Sequence, residues 1–223
     1  MKIALLNEFS QAPKNDLIFK TLKDTVTPLG HEVYNAAMSK PLLDDDVPEA
    51  YTANNPRLTY LHLGIQAALL LNSHAVDFII AGCGTGQGAL MSLNAYPGVV
   101  CGYCIEPADA YLYLQINDGN ALSIPFAKGF GWGAEVNLHN IFQSAFSSPS
   151  GLGYPKDRKE SQNRNAKLLM DVKQRIARPL LEALDNLDES MVKEALTPNF
   201  MKCFNAGCKD KDIGAYVAHL AAK

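Results

Sequence analysis

The chain has 223 residues, of which 48% are hydrophobic and 19% are charged, a composition typical of a globular protein. The formal net charge of −3 and the absence of a basic run argue against nucleic-acid binding. No apolar stretch approaches the roughly 20 residues of a membrane span, so we expect a cytoplasmic protein without a membrane partner.

The first predicted elements alternate between strands and helices. Residues 3–6 read as a strand that is apolar on both faces, as in a parallel sheet covered by helices. A helix is predicted over 15–29, ending at Gly30, and a short second strand over 33–36. Residues 40–57, with several prolines and an acidic triplet, are predicted to form an exposed loop, and an apolar helix follows over 60–72.

The central segment predicts the fold class. A strand over 76–81 leads into a glycine-rich turn over 82–88 and a helix over 89–94, and a further strand is predicted over 99–105. This order is typical of an α/β protein with a Rossmann-like, doubly wound parallel sheet, here of about five strands. Such sheets bind ligands at the carboxyl ends of their strands, where the glycine-rich turn lies.

The C-terminal third is predicted to be helical. A helix over 107–117 and a short apolar run over 121–125 precede it, and no strand is predicted after residue 130. Helices are expected over 167–184, interrupted at Pro179, over 189–196 and over 213–222. We therefore expect an α/β domain over 1–150 and a helical extension over 151–223 that packs on this domain or on a partner subunit.

The five cysteines do not predict a disulfide framework or a metal site. Their number is odd and no secretion signal is present. Cys101 and Cys104 have C-x-x-C spacing, but they lie in an apolar run, and Cys203 and Cys208 are spaced more loosely. Because a structural zinc site needs four well-spaced ligands, we expect buried thiols and no metal.

Four glycines alternate along the turn, at Gly82, Gly84, Gly86 and Gly88. Glycine permits positive φ and lets backbone N–H groups approach an anion, and the following helix adds free N–H groups at its N-terminus. The turn is therefore predicted to bind a phosphate or an oxyanion. Such loops also occur in many nucleotide-binding proteins, and a tight turn without a ligand is an alternative.

Cys83 adds a reactive group to this turn. A thiol near a helix N-terminus is expected to be available as a thiolate, which suits a base that removes a proton next to a carbonyl. The same backbone donors would stabilise an enediolate, and Thr85 could relay a proton or bind a sugar oxygen. Taken alone, Cys83 could equally be a small apolar filler.

A second enzyme class fits the same turn. Residues 77–88 also resemble the first motif of S-adenosylmethionine-dependent methyltransferases, with Glu106 in the place of a ribose-binding acid. That fold needs about four further strands, which the helical residues 150–223 cannot provide. The predicted topology therefore argues against a methyltransferase.

The motifs together resemble the type B ribose-5-phosphate isomerases and the related galactose-6-phosphate isomerase subunits. The resemblance covers roughly residues 1–135. It rests on the following residues, in this order and spacing: Cys83-Gly84-Thr85-Gly86-x-Gly88, Asn94, Gly98, Glu106-Pro107 and Asn117-Asp118-x-Asn120.

The resemblance implies an aldose–ketose isomerase that acts on a phosphorylated sugar through a cis-enediol. It implies Cys83 as the proton-transfer residue and Thr85 as its partner. Substrate contacts are implied for Glu8, Gly84, Gly86, Gln87, Gly88, Asn117 and Asp118. It further implies that no cofactor is needed, and that the protein is a homodimer or a dimer of dimers with active sites at the subunit interface.

This chain departs from the family pattern at three places. The family has Asp-His after the first strand, where this chain has Glu8-Phe9, and a histidine where this chain has Ile116. Because neither Phe9 nor Ile116 can perform acid–base chemistry, we expect no furanose ring opening by that route and an acyclic substrate, unless another residue such as His62 acts instead. Arg158 and Arg164 are the nearest candidates for the family's phosphate-binding arginines, although their spacing differs.

A catalytically silent sugar-phosphate binder or partner subunit is the alternative reading. The replacement of two polar residues of the family pattern, by Phe9 and Ile116, favours this reading. The retained pair of Cys83 and Thr85 argues against it, because a pure binder has no need of a thiolate base.

Overall fold

The computed structural model describes residues 1–38, 52 and 56–222. Its centre is a parallel sheet with the strand order β2-β1-β3-β5-β4, which confirms the predicted doubly wound α/β class. The strands are β1 (Lys2–Asn7), β2 (Glu32–Asn35), β3 (Phe78–Cys83), β4 (Cys101–Tyr103) and β5 (Ala121–Pro125).

Helices cover both faces of the sheet. Helices α1, α4 and α5 pack together on one face, and α2 and α3 pack together on the other. Their ranges are α1 (Asn15–Val26), α2 (Tyr60–Asn72), α3 (Gln87–Asn94), α4 (Pro107–Leu112) and α5 (Ala134–Phe146). Because helices cover both faces, residues 3–6 of β1 and 78–81 of β3 are apolar on both sides of the strand.

Local sequence signals set several helix boundaries. After α1 the chain makes a 3₁₀ turn, Thr27–Leu29, and stops at Gly30, whose φ of +85° is left-handed. Helix α2 begins with a capping box in which the Thr59 hydroxyl accepts from the N3 backbone and the His62 ring accepts from the Thr59 N–H. Pro107 occupies the first turn of α4, where its missing N–H costs nothing.

The chain after α5 is helical in the described residues, as predicted. The helices are α6 (Lys159–Ile176), α7 (Leu180–Asp185), α8 (Glu189–Glu194), α9 (Pro198–Gly207) and α10 (Lys211–Ala222). Pro179 separates α6 from α7 because proline cannot continue a helix. None of the helices in the described ranges combines the length and hydrophobicity that a membrane span requires.

Helices α7 to α10 pack on the α2 face of the sheet. Their buried side chains belong to the same hydrophobic cluster as residues of β1, β3 and α2. The Gln66 amide of α2 donates to the Ala195 carbonyl over 2.7 Å, and the Lys209 N–H donates to the Ser73 carbonyl over 2.8 Å. This part of the chain therefore shares one core with the sheet.

Several expected boundaries differ from the observed ones. Strand β4 has only three residues, and the strand expected over 76–81 continues to Cys83. Helices α5 and α9 were not expected, and α6 begins well before residue 167 because its first two turns are almost entirely polar. Of the loop expected over 40–57, all but residues 52, 56 and 57 lie outside the described residues.

Candidate active site

The predicted site lies at the carboxyl end of the sheet, where β1, β3 and β5 end side by side. Asn7 pairs with Gly82, and Cys83 pairs with Pro125. Glu8, one residue beyond Asn7, is therefore level with Cys83 on the neighbouring strand. Helix α1 follows β1 on one face of the sheet and α3 follows β3 on the other, so this is the topological switch point where open α/β sheets bind ligands.

Cys83 is the last residue of β3 and is nearly buried, with 7% of its surface exposed. Its carbonyl accepts a hydrogen bond of 2.9 Å from the Phe126 N–H. The ladder with β5 therefore fixes its backbone, while the turn that follows opens toward solvent at Thr85 and Gln87. This arrangement gives Cys83 a fixed position at the base of the glycine-rich turn.

The carbonyl groups of the turn are held by neighbouring residues. The Gly84 carbonyl accepts from the Ala127 N–H over 2.9 Å. The Thr85 carbonyl accepts from the Tyr103 hydroxyl over 2.9 Å, and the Gly86 carbonyl accepts from the Ser123 hydroxyl over 2.7 Å. Tyr103 and Ser123, from β4 and β5, were not among the predicted site residues.

The N–H groups of the same turn are available to a ligand. Within the described part of the chain, the backbone N–H groups of Gly84, Thr85 and Gly86 have no protein acceptor. The N–H of Gln87 makes a long contact of 3.3 Å with the Thr85 hydroxyl. With its carbonyl groups anchored and its N–H groups free, the turn forms a preorganised anion site at the start of α3.

Gly86 is required at its position for two reasons. Its φ of +72° is left-handed, and a Cβ atom there would lie 2.7 Å from the Tyr103 ring and 3.0 Å from the Pro125 backbone nitrogen. The turn can therefore approach β4 and β5 this closely only with glycine.

Glu8 is held in place by a chain of hydrogen bonds. Its buried carboxylate accepts from both the N–H and the hydroxyl of Ser10. The Ser10 hydroxyl accepts from the side-chain Nε2 of Gln11 over 2.8 Å. The side-chain Oε1 of Gln11 accepts from the Lys14 ammonium, also over 2.8 Å. The Gln11 amide nitrogen also lies 3.6 Å from the position of a Cβ on Gly84, which brings this chain to the edge of the turn.

Lys14 connects this network to the end of β5. Its ammonium donates to the Phe126 carbonyl over 2.6 Å and lies 4.8 Å from the centre of the Phe130 ring. Desolvation lowers the pKa of Lys14 below its ordinary value, and the nearby negative charge of Glu8 partly opposes this shift. Lys14 thus places a positive charge near Glu8 at the carboxyl end of β5.

Residues 57–60 form a wall that connects the end of β1 with the start of α3. The Leu58 carbonyl accepts from the Phe9 N–H over 2.8 Å, which ties this segment to the end of β1. The Arg57 guanidinium carbon lies 3.5 Å from the centre of the Phe9 ring. At the other end of the wall, the Tyr60 ring would lie 2.8 Å from a Cβ on Gly88, so it covers the first turn of α3.

A hollow adjoins the turn on the β5 side. It is a cleft of about 220 Å³ lined by residues at and after the ends of β4 and β5, among them Ile105, Pro125, Lys128 and Phe130. Trp132, in the glycine-rich stretch that borders this cleft, is fully exposed.

Four predicted site residues lie at the other end of the sheet. Asn117 and Asp118 end a π-helical turn, Tyr113–Asn117, that precedes β5, whereas Cys83 pairs with the last residue of β5. Since strands rise about 3.3 Å per residue, the two ends of β5 are roughly 13 Å apart. Helix α6, which begins after Arg158 and contains Arg164, packs against this turn.

Other residues of the motifs have structural contacts. The Asn94 side chain exchanges two hydrogen bonds with the Cys101 backbone, at 2.9 and 3.0 Å. The Asn120 side chain accepts from the Val100 N–H and donates to the Gly98 carbonyl. Both asparagines thus fix the backbone at the amino edge of the sheet, away from the site.

His62 has both ring nitrogens engaged. Nδ1 accepts from the Thr59 N–H over 2.9 Å, so in the neutral ring the proton lies on Nε2, which faces Glu194 at 3.0 Å. The ring is buried between α2 and α8. His62 is therefore part of the N-terminal cap of α2, and both of its ring nitrogens face protein partners.

Three of the cysteines outside the turn are buried in the hydrophobic core. Burial raises the pKa of the Cys101, Cys104 and Cys203 thiols to about 12. In the described ranges no three histidine, cysteine or acidic side chains are grouped as metal ligands would be.

Sequence reasoning missed the supporting residues of the site. Gln11, Lys14, Arg57 and Tyr60 carry no motif, and Arg57 lies in a stretch that was expected to be an exposed loop. The one available signal was position, because Gln11 and Lys14 follow directly after the first strand of a fold that binds ligands at strand ends.

Comparison with known protein families agrees with this geometry. The profile of the ribose/galactose isomerase family matches residues 21–149, more than half of the chain. A second profile, described as ribose-5-phosphate isomerase, matches residues 176–220 in the helical C-terminal part. Ribose-5-phosphate isomerase B of Escherichia coli K12 is 36% identical over 78 residues, a match that spans 35% of this chain and 52% of that protein.

Two solved structures match along the whole chain. A 4-deoxy-L-threo-5-hexosulose-uronate ketol-isomerase, solved with a tartrate, is 44% identical with a TM-score of 0.90 over 100% of both chains. A ribose-5-phosphate isomerase from Vibrio parahaemolyticus is 48% identical with a TM-score of 0.90 over 99% of both chains. The ribose-5-phosphate isomerase B of Clostridium thermocellum, at 17% identity and a TM-score of 0.57, covers 79% of this chain and all of its own and shares the fold. The chain belongs to the ribose/galactose isomerase family.

Proposed function

We propose that the protein is an aldose–ketose isomerase that moves a carbonyl between C1 and C2 of an open-chain sugar with a terminal anionic group. The observation that carries this proposal is the pairing of Cys83 with a turn whose carbonyl groups are anchored and whose N–H groups are free. Isomerisation needs one acid–base residue and one oxyanion site next to each other. Family membership supports the same assignment.

In the proposed mechanism, the Cys83 thiolate removes the proton from C2 of the aldose, and the electron pair forms the C1–C2 double bond of a cis-enediolate. The N–H groups of Gly84, Thr85 and Gly86 stabilise the negative oxygen. A proton passes from the C2 oxygen to the C1 oxygen, with the Thr85 hydroxyl as its partner. The Cys83 thiol then returns its proton to C1, which yields the ketose without any net redox change.

Glu8 and the exposed Gln87 are assigned to the hydroxyl groups of the substrate. Glu8 is level with Cys83 and is oriented by Ser10, so its carboxylate can accept from a substrate hydroxyl without moving. Gln87 lies at the first position of α3 and is open to solvent. Gly88, under the Tyr60 ring, would line the site through its backbone.

The absence of two histidines of the family pattern favours an open-chain substrate. Phe9 and Ile116 occupy the two positions where the family pattern has histidines, and His62 is committed to Thr59 and Glu194. None of these side chains can protonate a ring oxygen at the site. The substrate would therefore bind already open.

Two classes of terminal anion are candidates. A sugar phosphate is supported by the Vibrio parahaemolyticus relative, which is named a ribose-5-phosphate isomerase. A uronate is supported by the relative named a hexosulose-uronate ketol-isomerase, which matches along the full chain. Both reactions use the same chemistry at C1 and C2 and differ only in the anion at the far end.

We propose in addition that a homodimer completes the site. Asn117, Asp118, Arg158 and Arg164 lie at the end of the sheet opposite Cys83, so within one chain they cannot reach a substrate there. A second copy of the chain could bring its own π-helical turn and its own α6 to the site around Cys83. Exposed apolar side chains on α6, among them Leu168, Val172 and Ile176, support such contact between copies.

Proton exchange followed by NMR tests the proposed reaction. The protein would be incubated in deuterated water with four-, five- and six-carbon aldose and ketose phosphates and with open-chain hexuronates. We expect deuterium at C1 or C2 of one class of compound, and no deuterium with the Cys83→Ala variant. The Cys208→Ala variant should exchange like the wild type, because Cys208 is half-buried and remote from the site. The Cys208 variant controls for effects of thiol removal.

Absence of exchange with every compound would refute the isomerase proposal. Binding of a sugar phosphate without exchange would identify the protein as a silent binder, the alternative that the loss of two polar family positions favours. Exchange that survives in Cys83→Ala would refute the role of Cys83.

A further inference from the structure

His62 connects the helical C-terminal part of the chain to the start of α2. Its Nδ1 accepts from the Thr59 N–H over 2.9 Å, and its Nε2 lies 3.0 Å from the Glu194 carboxylate of α8. The His62 ring is buried, whereas the Glu194 side chain is half-exposed. The two contacts together hold the ring in one orientation.

Capping of α2 alone does not require a histidine at this position. The third helical residue of a capping box is usually Glu or Gln, because one acceptor oxygen is enough for the N–H of the first capping residue. A neutral histidine has two ring nitrogens, one of which accepts while the other donates. In His62 the second nitrogen faces Glu194, so the cap of α2 is tied to α8.

Thr59 lies within the wall formed by residues 57–60, and its two neighbours contact elements of the site. The Leu58 carbonyl accepts from the Phe9 N–H over 2.8 Å, one residue after Glu8. On the other side, the Tyr60 ring covers Gly88, where a Cβ atom would lie 2.8 Å from the ring. The backbone at Thr59 therefore sets the position of the wall against both β1 and α3.

Helix α3 is packed closely against the first turns of α2. The Ser92 hydroxyl of α3 donates to the Leu61 carbonyl over 3.2 Å, and a Cβ atom on Gly64 would lie 2.3 Å from the Ser92 hydroxyl oxygen. Because protein interiors are close-packed, the start of α2 cannot shift without moving α3. The glycine-rich turn after Cys83 leads directly into α3, so such a shift would displace the N–H groups of the proposed oxyanion site.

We propose that Glu194 and His62 are positioning residues of the isomerase site, and that the helical C-terminal part of the chain acts on catalysis through them. This inference rests on the proposed isomerase function. Glu194 orients the His62 ring, the ring holds the Thr59 N–H, and Thr59 keeps Tyr60 in place on Gly88. Glu194 and His62 act on the chemical step through the geometry of the turn and make no contact with the substrate.

Steady-state kinetics of Glu194→Ala with the best substrate of the exchange panel tests this assignment. We expect kcat to fall at least about tenfold with KM changed less than about threefold, because a small misplacement of the oxyanion donors slows the chemical step. Glu194→Gln should keep most of the activity, because its amide oxygen can still accept from the His62 Nε2–H. His62→Glu should lose as much as Glu194→Ala, because it keeps the acceptor of the capping box but repels Glu194.

Two matched controls separate positioning of the wall from attachment of the C-terminal helices. Gln66→Leu removes another hydrogen bond between α2 and these helices, the bond of 2.7 Å to the Ala195 carbonyl. It should lower the free energy of unfolding but leave kcat unchanged, because Gln66 lies one turn beyond the cap of α2. Glu182→Ala removes an exposed carboxylate of α7 that pairs with Arg178, and it should change neither kcat nor KM.

Backbone amide NMR gives a second readout that does not depend on turnover. In Glu194→Ala the amide signals of Tyr60, Gly84, Gly86 and Gly88 should shift from their wild-type positions. In Gln66→Leu the same signals should stay in place.

Two outcomes would overturn the inference while leaving the isomerase function intact. They are an unchanged kcat in Glu194→Ala and an equal loss of kcat in Gln66→Leu. Failure of the isomerase function would instead be seen as absence of exchange in the wild-type protein. In that case the amide signals would still show whether Glu194 positions the turn, so the two failures are distinguishable.

Discussion

Gly86→Ala tests whether the shape of the glycine-rich turn supports both folding and catalysis. The new methyl group would have to adopt a φ of +72° and would lie 2.7 Å from the Tyr103 ring and 3.0 Å from the Pro125 nitrogen. Left-handed backbone costs a non-glycine residue about 1–2 kcal/mol, and overpacking against a backbone that cannot move adds about 1–3 kcal/mol. We expect a loss of about 2–5 kcal/mol in the free energy of unfolding.

Gly30→Ala is the matched control for the backbone strain. Gly30 has a φ of +85° at the end of α1, and no atom lies within 4 Å of its Cβ position. This variant should lose only the strain of about 1–2 kcal/mol and keep full activity. The difference between the two variants therefore measures the overlap with β4 and β5.

Urea unfolding gives the stabilities of both variants, and the proton-exchange assay gives their activities. In Gly86→Ala the displaced N–H groups of Gly84 and Thr85 should lower the exchange rate at least about a hundredfold, as loss of an oxyanion donor does. A Gly86→Ala protein that is as stable as Gly30→Ala and fully active would refute the reasoning about the turn.

Two further predictions concern Lys14, near the site, and Cys203, in the core of the helical C-terminal part. Lys14→Met should leave the Gln11 side chain and the Phe126 carbonyl without their donor and reduce the free energy of unfolding by about 1–3 kcal/mol. Lys14→Arg, which keeps the positive charge, should lose less of the free energy of unfolding. Equal urea midpoints for Lys14→Met and the wild type would contradict this account. Burial raises the pKa of Cys203 from 9.0 to about 12, so above pH 9 the thiol ionises only when the chain unfolds. The ionisation of this thiol should then lower the free energy of unfolding by about 1.4 kcal/mol per pH unit between pH 9 and 12. Urea unfolding at pH 8 and 10 should show a smaller alkaline loss in Cys203→Ala, and an identical loss in both proteins would refute the assignment.

The regular elements near the site could be predicted from the sequence because their signals are local. Strands β1 and β3 are apolar on both faces, α2 is apolar around its circumference, and Gly30 and Pro179 mark helix ends through their backbone preferences. Helix α9 was missed because it is short and amphipathic within a segment that has no periodic pattern long enough to stand out.

The candidate catalytic pair could also be predicted from the sequence. Cys83 and Thr85 lie in one short turn, and a glycine-rich turn between a strand and a helix has an anion-binding geometry that depends on few distant contacts. Glu8 was assigned to the site only through the family resemblance, because its position near Cys83 depends on β1 lying beside β3. What the pattern could not indicate was that Tyr103 and Ser123 anchor the turn, since they come from other strands.

The sequence by itself thus determined the fold class, the glycine-rich turn and the identity of its thiol, because each depends on patterns within a few residues. Only the tertiary structure decided which distant residues meet there. It brought Arg57 onto Phe9 and Lys14 close to Glu8, and it placed Asn117 at the opposite end of β5 from Cys83. Such contacts depend on strand register and on how loops cross the ends of the sheet, and no local preference of the residues encodes either.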